Sequence, residues 1–180
     1  KLNQDDGNWY AGLEGLPIQH HDHVIIRANS VRHGFVSWMN RQKTGEIMVP
    51  YSELLPSVSN EGGHAWQKQV GFDLVLSDDP TFAMRYDVSS EGGKNFFNKI
   101  LSEIANRPSR EHFHPIIALS STTGTKGGYN TKYPDYTVIG WADDNMNIID
   151  GNAPMIQSEP GNDDSPAQDQ RPQRRTRSAA

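Results

Sequence analysis

Aromatic and basic side chains interleave in two stretches of the sequence. The first holds Arg27, Arg32, Phe35, Trp38, Arg41 and Lys43, and the second holds Lys126, Tyr129, Lys132 and Tyr133. That mixture suits single-stranded nucleic acid, whose phosphates need cations to follow and whose bases need aromatic faces to stack on. Arg32, Phe35, Trp38, Arg41, Lys43, Lys126, Tyr129, Lys132 and Tyr133 are therefore the candidate nucleic-acid-binding residues. The competing reading is structural: Phe35 and Trp38 fill a core and the lysines solvate a turn. The two rings are three residues apart and face opposite sides of a regular strand. At least one belongs to a core unless Gly34 shifts the register.

Other chemistries find less support. His20-His21-Asp22-His23 is the best metal candidate, with His112 and His114 as a second group, because alternate residues of an extended chain point the same way. Neither spacing matches a zinc motif, so solvated histidines are expected, with no metal and no cofactor. The absence of cysteine excludes disulfides, thiolate catalysis and iron–sulfur ligation. No G-x-S-x-G elbow or Ser/His/Asp neighbourhood stands out. Gly124-Thr125-Lys126-Gly127-Gly128 lacks the spacing of a phosphate loop and precedes no helix. Asp78-Asp79 and Asp143-Asp144 sit in turn-like contexts, where Asp is favoured for backbone reasons. No enzyme is expected.

The elements that must position these residues are mostly strands. Val24 to Ile26 and Val31 to Trp38 read as a long or bent strand pair, and Asn40 to Gly45 as a turn leading to a strand over Glu46 to Val49. Phe72 to Leu76 and Phe82 to Val88 flank Asp78-Asp79-Pro80 as a second hairpin. Phe96, Phe97, Ile100, Leu101 and Ile104 recur at helical spacing, with Ser89 or Ser90 to cap the start and Pro108 to stop it. Pro115 to Leu119 and Tyr136 to Trp141 read as strands, separated by a long polar loop over Ser120 to Asp135. This order predicts a mainly β fold: an OB-like barrel of five to six strands with one α-helix. An α+β antiparallel sheet with one covering helix is the alternative.

The 180 residues are 34% hydrophobic and 22% charged, with a net charge of -5. No window approaches the roughly 18 consecutive apolar residues of a membrane-spanning helix, and no signal segment opens the chain. A cytoplasmic protein is expected. The acidity is uneven. Residues 1–23 set Lys1 against Asp5, Asp6, Glu14 and Asp22 and form an acidic flank, although Trp9, Tyr10, Leu13 and Leu16 are apolar enough to pack on a core or a neighbour. Residues 24–150 form the expected barrel domain, nearly neutral up to Trp141. Residues 151–180 read as a disordered tail, because their Pro, Gln, Asp, Ser and Arg content buries too little apolar surface to offset the ordering entropy. Arg171, Arg174, Arg175 and Arg177 lie near its end.

The segments Gly34 to Trp38, Gly45 to Pro50, Gly71 to Val75 and Pro134 to Trp141 together resemble a group of small phage- and prophage-encoded proteins. The resemblance implies a phage product in a bacterial host cytoplasm, with a layout similar to single-stranded-DNA-binding proteins. The expected function is non-catalytic binding of single-stranded DNA in phage replication or recombination, with phage or host replication proteins reached through the tails and a possible homo-oligomer. The alternative is a protein-interaction or virion component whose flanks order on partner subunits.

Overall fold

In the computed structural model the described residues are 1–12, 14–19, 21–59 and 65–151. The predicted tail therefore lies outside them, apart from Gly151.

The chain opens with three short strands, β1 (Leu2–Asp5), β2 (Asn8–Ala11) and β3 (Leu16–Ile18), paired in that order. The turn between the first two is Asp6-Gly7, both at positive φ, the geometry of a tight two-residue hairpin turn. Leu2, Trp9 and Ala11 are buried in the main core, and the Trp9 indole Nε1 donates to the Ser120 carbonyl at 2.8 Å. The first residues are thus a layer of the core as well as an acidic flank.

Strand β4 (His23–Ile26) and strand β5 (Arg32–Met39) run in one direction, separated by a 3-10 turn at Ala28–Ser30. Both pair with the same edge of the eleven-residue strand β7 (Trp66–Leu76), giving the bent strand pair expected from the sequence. Strand β8 (Ala83–Val88) takes the opposite edge of β7. The Asp79 carboxylate accepts from the Thr81 amide in the turn between them, the backbone role expected of Asp there.

The expected barrel does not close. Strand β6 (Gln42–Pro50) pairs with β5 on the side away from β7. With β4 and β5 on one edge and β8 on the other, β7 has little edge left to receive a closing strand. The eight-stranded sheet instead stays open, running β11-β10-β9-β4-β7-β5-β6 with β8 beside β7. Here β9 is His114–Lys126, β10 is Tyr129–Ala142 and β11 is Ile148–Gly151.

The long polar loop predicted over Ser120 to Asp135 is also corrected. Strands β9 and β10 continue through it as one hairpin, closed by Gly127-Gly128 at φ of 60° and 85°. Its outer half exposes Thr122, Thr123 and Thr125, so it carries no alternation of apolar residues and yet is built of β-formers.

Helix α1 (Glu91–Ala105) lies where the apolar period placed it. The Ser90 side chain accepts from the Gly93 amide at 3.3 Å, and Glu91 complements the positive end of the helix dipole. Its inward face sinks Phe96, Phe97 and Ile100 against Phe72, Leu74, Tyr86 and Leu119. Burial of each such side chain contributes about 1.5–3 kcal/mol.

On the sheet's other face, Arg32, Gly71 and Asp87 stand side by side on β5, β7 and β8. Gly71 has no side chain, so the Arg32 guanidinium crosses above it. Its Nη2 donates to Asp87 Oδ1 at 2.7 Å and its Nη1 to Asp73 Oδ1 at 2.9 Å. A Cβ on Gly71 would collide with the Asp87 carboxylate. Gly71→Ala is therefore expected to break a mostly buried ion pair and to destabilise the protein by about 3 kcal/mol. Urea unfolding measures it, and a variant as stable as wild type refutes the role given to Gly71.

Candidate nucleic-acid interface

Two cavities meet at the N-terminal end of α1. One, of about 340 Å³, lies between β1 (Leu2 to Gln4), the end of β8, the first turn of α1 and Thr131 to Pro134 of β10. The other, of about 320 Å³, is lined by Lys1, Trp38, Lys43, Glu46, Gln69 and the Asp87 to Ser90 stretch. Asp87, Val88 and Ser90 line both, so the two form one cleft.

This cleft unites the inner members of the two predicted clusters. Trp38 and Lys43, directly opposed across β5 and β6, line one end, and Lys132 and Tyr133 line the other. A register shift after Ser37 leaves Thr44 unpaired, with its hydroxyl donating to Ser37 at 3.1 Å. Such a bulge strengthens the local twist. Trp38 is 43% exposed. Tyr133 is half-buried, its ring wedged between Gly92 of the helix and Gly124 of β9, where a Cβ on either glycine would come within 2.8 Å of the ring.

The other candidates lie elsewhere. Phe35 is half-buried on the opposite face of β5 from Arg32 and does not line the cleft, and neither it nor the exposed Trp38 joins the hydrophobic core expected to hold one of the two rings. Arg32 is held between Asp73 and Asp87, so it neutralises the cleft wall from beneath and has no free guanidinium for a phosphate. Arg27 lines neither cavity. Arg41 and Tyr129 sit at the two hairpin tips, Tyr129 being 79% exposed. The Lys126 side chain lies outside the described residues.

Several cleft residues were missed by sequence reasoning: Lys1, Gln69, Val88 and Gly92. Ser89-Ser90-Glu91-Gly92-Gly93 carried a usable signal, since capping serines followed by small residues leave a helix end open to approach.

Cations and carboxylates mix in the cleft, where Lys1, Lys43 and Lys132 stand beside Glu46, Asp87 and Glu91. The Lys43 ammonium lies 3.0 Å from Glu46. Burial alone pushes the Glu46 carboxyl up, but hydrogen bonds from Lys43 and Gln69, with the Lys43 charge, outweigh it and hold the group below its ordinary value. The Lys132 ammonium donates to the Thr123 hydroxyl at 2.8 Å and carries no carboxylate of its own among the described residues. Arg32 neutralises Asp87 and Glu91 offsets the positive end of the helix dipole, which leaves Lys132 as a cleft cation without a carboxylate of its own.

The histidines do not converge. His20 lies outside the described residues, His21 is within 3.6 Å of Asp22, and the His112 ring bonds Ser109 at 2.7 Å. Among the described residues no three His, Cys, Asp or Glu side chains are grouped to hold a metal. His114 is 1% exposed, and its Nδ1 accepts from the Ala28 amide at 3.0 Å. Burial lowers its pKa below the usual 6.5, against the opposing pull of backbone hydrogen bonding to Ile26 and of the Asp144 charge. The unfolded chain therefore binds a proton that the folded chain refuses. The stability that His114 contributes is whole above about pH 6.5 and is lost as pH falls towards the lowered value. The stability gap between wild type and His114→Gln is expected to narrow between pH 7.5 and 5.5 in urea titrations. A gap independent of pH refutes the assignment.

No family model matches this sequence, and neither a curated protein nor a solved structure matches it.

Proposed function

We propose that the chain binds single-stranded DNA without catalysis, in phage DNA replication or recombination within the host cytoplasm. The observation that supports this most is the convergence of Trp38, Lys43, Lys132 and Tyr133 on one cleft beside a helix N-terminus. An exposed indole supplies a stacking face, and Lys132 with the first-turn amides of α1 supplies donors for a phosphate. Among the described residues no helix is long and apolar enough to cross a membrane.

A second reading, assembly with protein subunits, draws on the apolar residues exposed along β6 and the turn after it. Ile47, Tyr51 and Leu55 are each more than a third exposed, and Leu54 is 94% exposed. The Tyr51 and His33 rings lie 4.8 Å apart, tilted by 44°, and the Glu53 carbonyl bonds the His33 ring, so this turn is fixed to the sheet.

Fluorescence anisotropy with a labelled oligothymidine separates the two. On the nucleic-acid reading, binding weakens as salt rises. Trp38→Ala lowers affinity about tenfold, the loss of one stacked base, and Lys132→Ala reduces the slope of log affinity against log salt by about 0.7. No salt-sensitive binding by wild type overturns this reading. On the assembly reading the purified chain runs above its monomer mass in light scattering, and Leu54→Asp returns it to monomer.

A further inference from the structure

The tip of the β5–β6 hairpin holds a residue in a backbone conformation that suits it poorly. Met39 and Gln42 pair across a two-residue turn whose members, Asn40 and Arg41, have φ of 51° and 64°. Turns of this hand match the twist of the strands, and their second position favours glycine because a Cβ there crowds the backbone. Asn tolerates the left-handed region through its short polar side chain, and Arg has no such compensation.

Charge isolates the same residue. The hairpin carries three cations. Arg32 is held by Asp73 and Asp87, and Lys43 by Glu46. Arg41 holds no carboxylate among the described residues. Its tip is also where the hairpin turns apolar surface outward: Trp38 is 43% and Met39 45% exposed, and Trp38 lines the cleft. Strained backbone that persists beside a candidate site points to a use for the side chain it displays.

We propose that Arg41, on the turn just beyond the Trp38–Lys43 and Met39–Gln42 pairs, is the phosphate-contacting residue of this hairpin, kept in a left-handed turn at a cost in stability. Its ligand class is the phosphodiester backbone of single-stranded nucleic acid, and the assignment rests on the nucleic-acid reading above. Trp38 takes a base, and Arg41 takes a phosphate next to it. Arg32 and Lys43 have charges already matched within the sheet and add little to the salt dependence.

The test uses the full-length chain as wild type, Arg41→Gly and Arg41→Lys. Each is melted thermally and titrated with fluorescein-labelled oligothymidine between about 50 and 200 mM salt. Arg41→Gly is expected to melt about 2–4 °C higher, because glycine relieves the left-handed strain. In the same variant the salt slope shrinks by about 0.7, one phosphate contact on a single strand. Arg41→Lys keeps the wild-type slope and midpoint. An Arg41→Gly protein that keeps the full slope, or melts no higher than wild type, overturns the assignment while wild-type binding leaves the broader reading standing. Wild type that shows no salt-sensitive binding overturns the nucleic-acid reading itself.

Discussion

Strand β7 is bonded along both edges for much of its length, to β4 and β5 on one side and to β8 on the other, and the Arg32–Asp87 bridge over Gly71 ties three of these strands on the face away from the helix. The other face of the same strand supplies Phe72 and Leu74 to the core beneath α1. One strand thus sets a salt-bridged side and an apolar side. The arrangement depends on strict alternation, because a one-residue slip of β7 would carry Asp73 into the core and expose Phe72. It also depends on Gly71, the position in the row where a side chain would separate the two charges.

The cleft inherits its shape and charge from that arrangement. Asp87 leaves β8 as the shared wall of the two cavities, and Arg32 cancels it from below. Without the guanidinium, a buried carboxylate would stand at the floor of the site and oppose any phosphate. Val88 and Ser90 then turn the chain from β8 into α1, and Ser90 caps the helix whose dipole faces the cleft. The N-terminal strands finish the enclosure, with Leu2 in the core and Lys1 at the rim. The site is therefore a product of the junction between β8 and α1, to which the two hairpins bring their aromatic and basic residues.

How legible this was in the sequence follows the strength of local signals. The helix showed because Phe96, Phe97 and Ile100 repeat at its period and Ser90 and Pro108 bracket it. The β7–β8 hairpin showed because Asp78-Asp79-Pro80 has turn chemistry between two apolar runs. The outer half of β9–β10 reads as a loop in the sequence because Thr122, Thr123 and Thr125 lie on no buried face, so burial imposes no alternation; Gly127-Gly128 is its one local sign of a hairpin. Asp6-Gly7 was an equally direct hairpin sign, hidden by strands only four residues long. Whether the sheet closes was not a local property at all. It turns on which edge of β5 receives β7, and both outcomes satisfy the same alternation. The candidate residues divided on similar grounds. Composition identifies an arginine but not its partner: Arg32 has Asp73 and Asp87 across a glycine, whereas Arg41 holds no carboxylate among the described residues.

The charge of the chain looks different once those partners are counted. Residues 24–141 are close to neutral, and part of that neutrality is local pairing: Arg32 with Asp73 and Asp87, Lys43 with Glu46, Arg85 with Asp73, Lys99 with Asp135. Cations spent in this way stabilise strand order and offer little field at a distance. Of the cations on the two candidate hairpins, Arg41 at one tip and Lys132 in the cleft hold no carboxylate among the described residues. On the proposed reading, a single strand is held here by a few placed contacts and by stacking on Trp38. The net negative charge of residues 1–23 opposes an anion at long range, so on that reading binding depends on short contacts within the cleft.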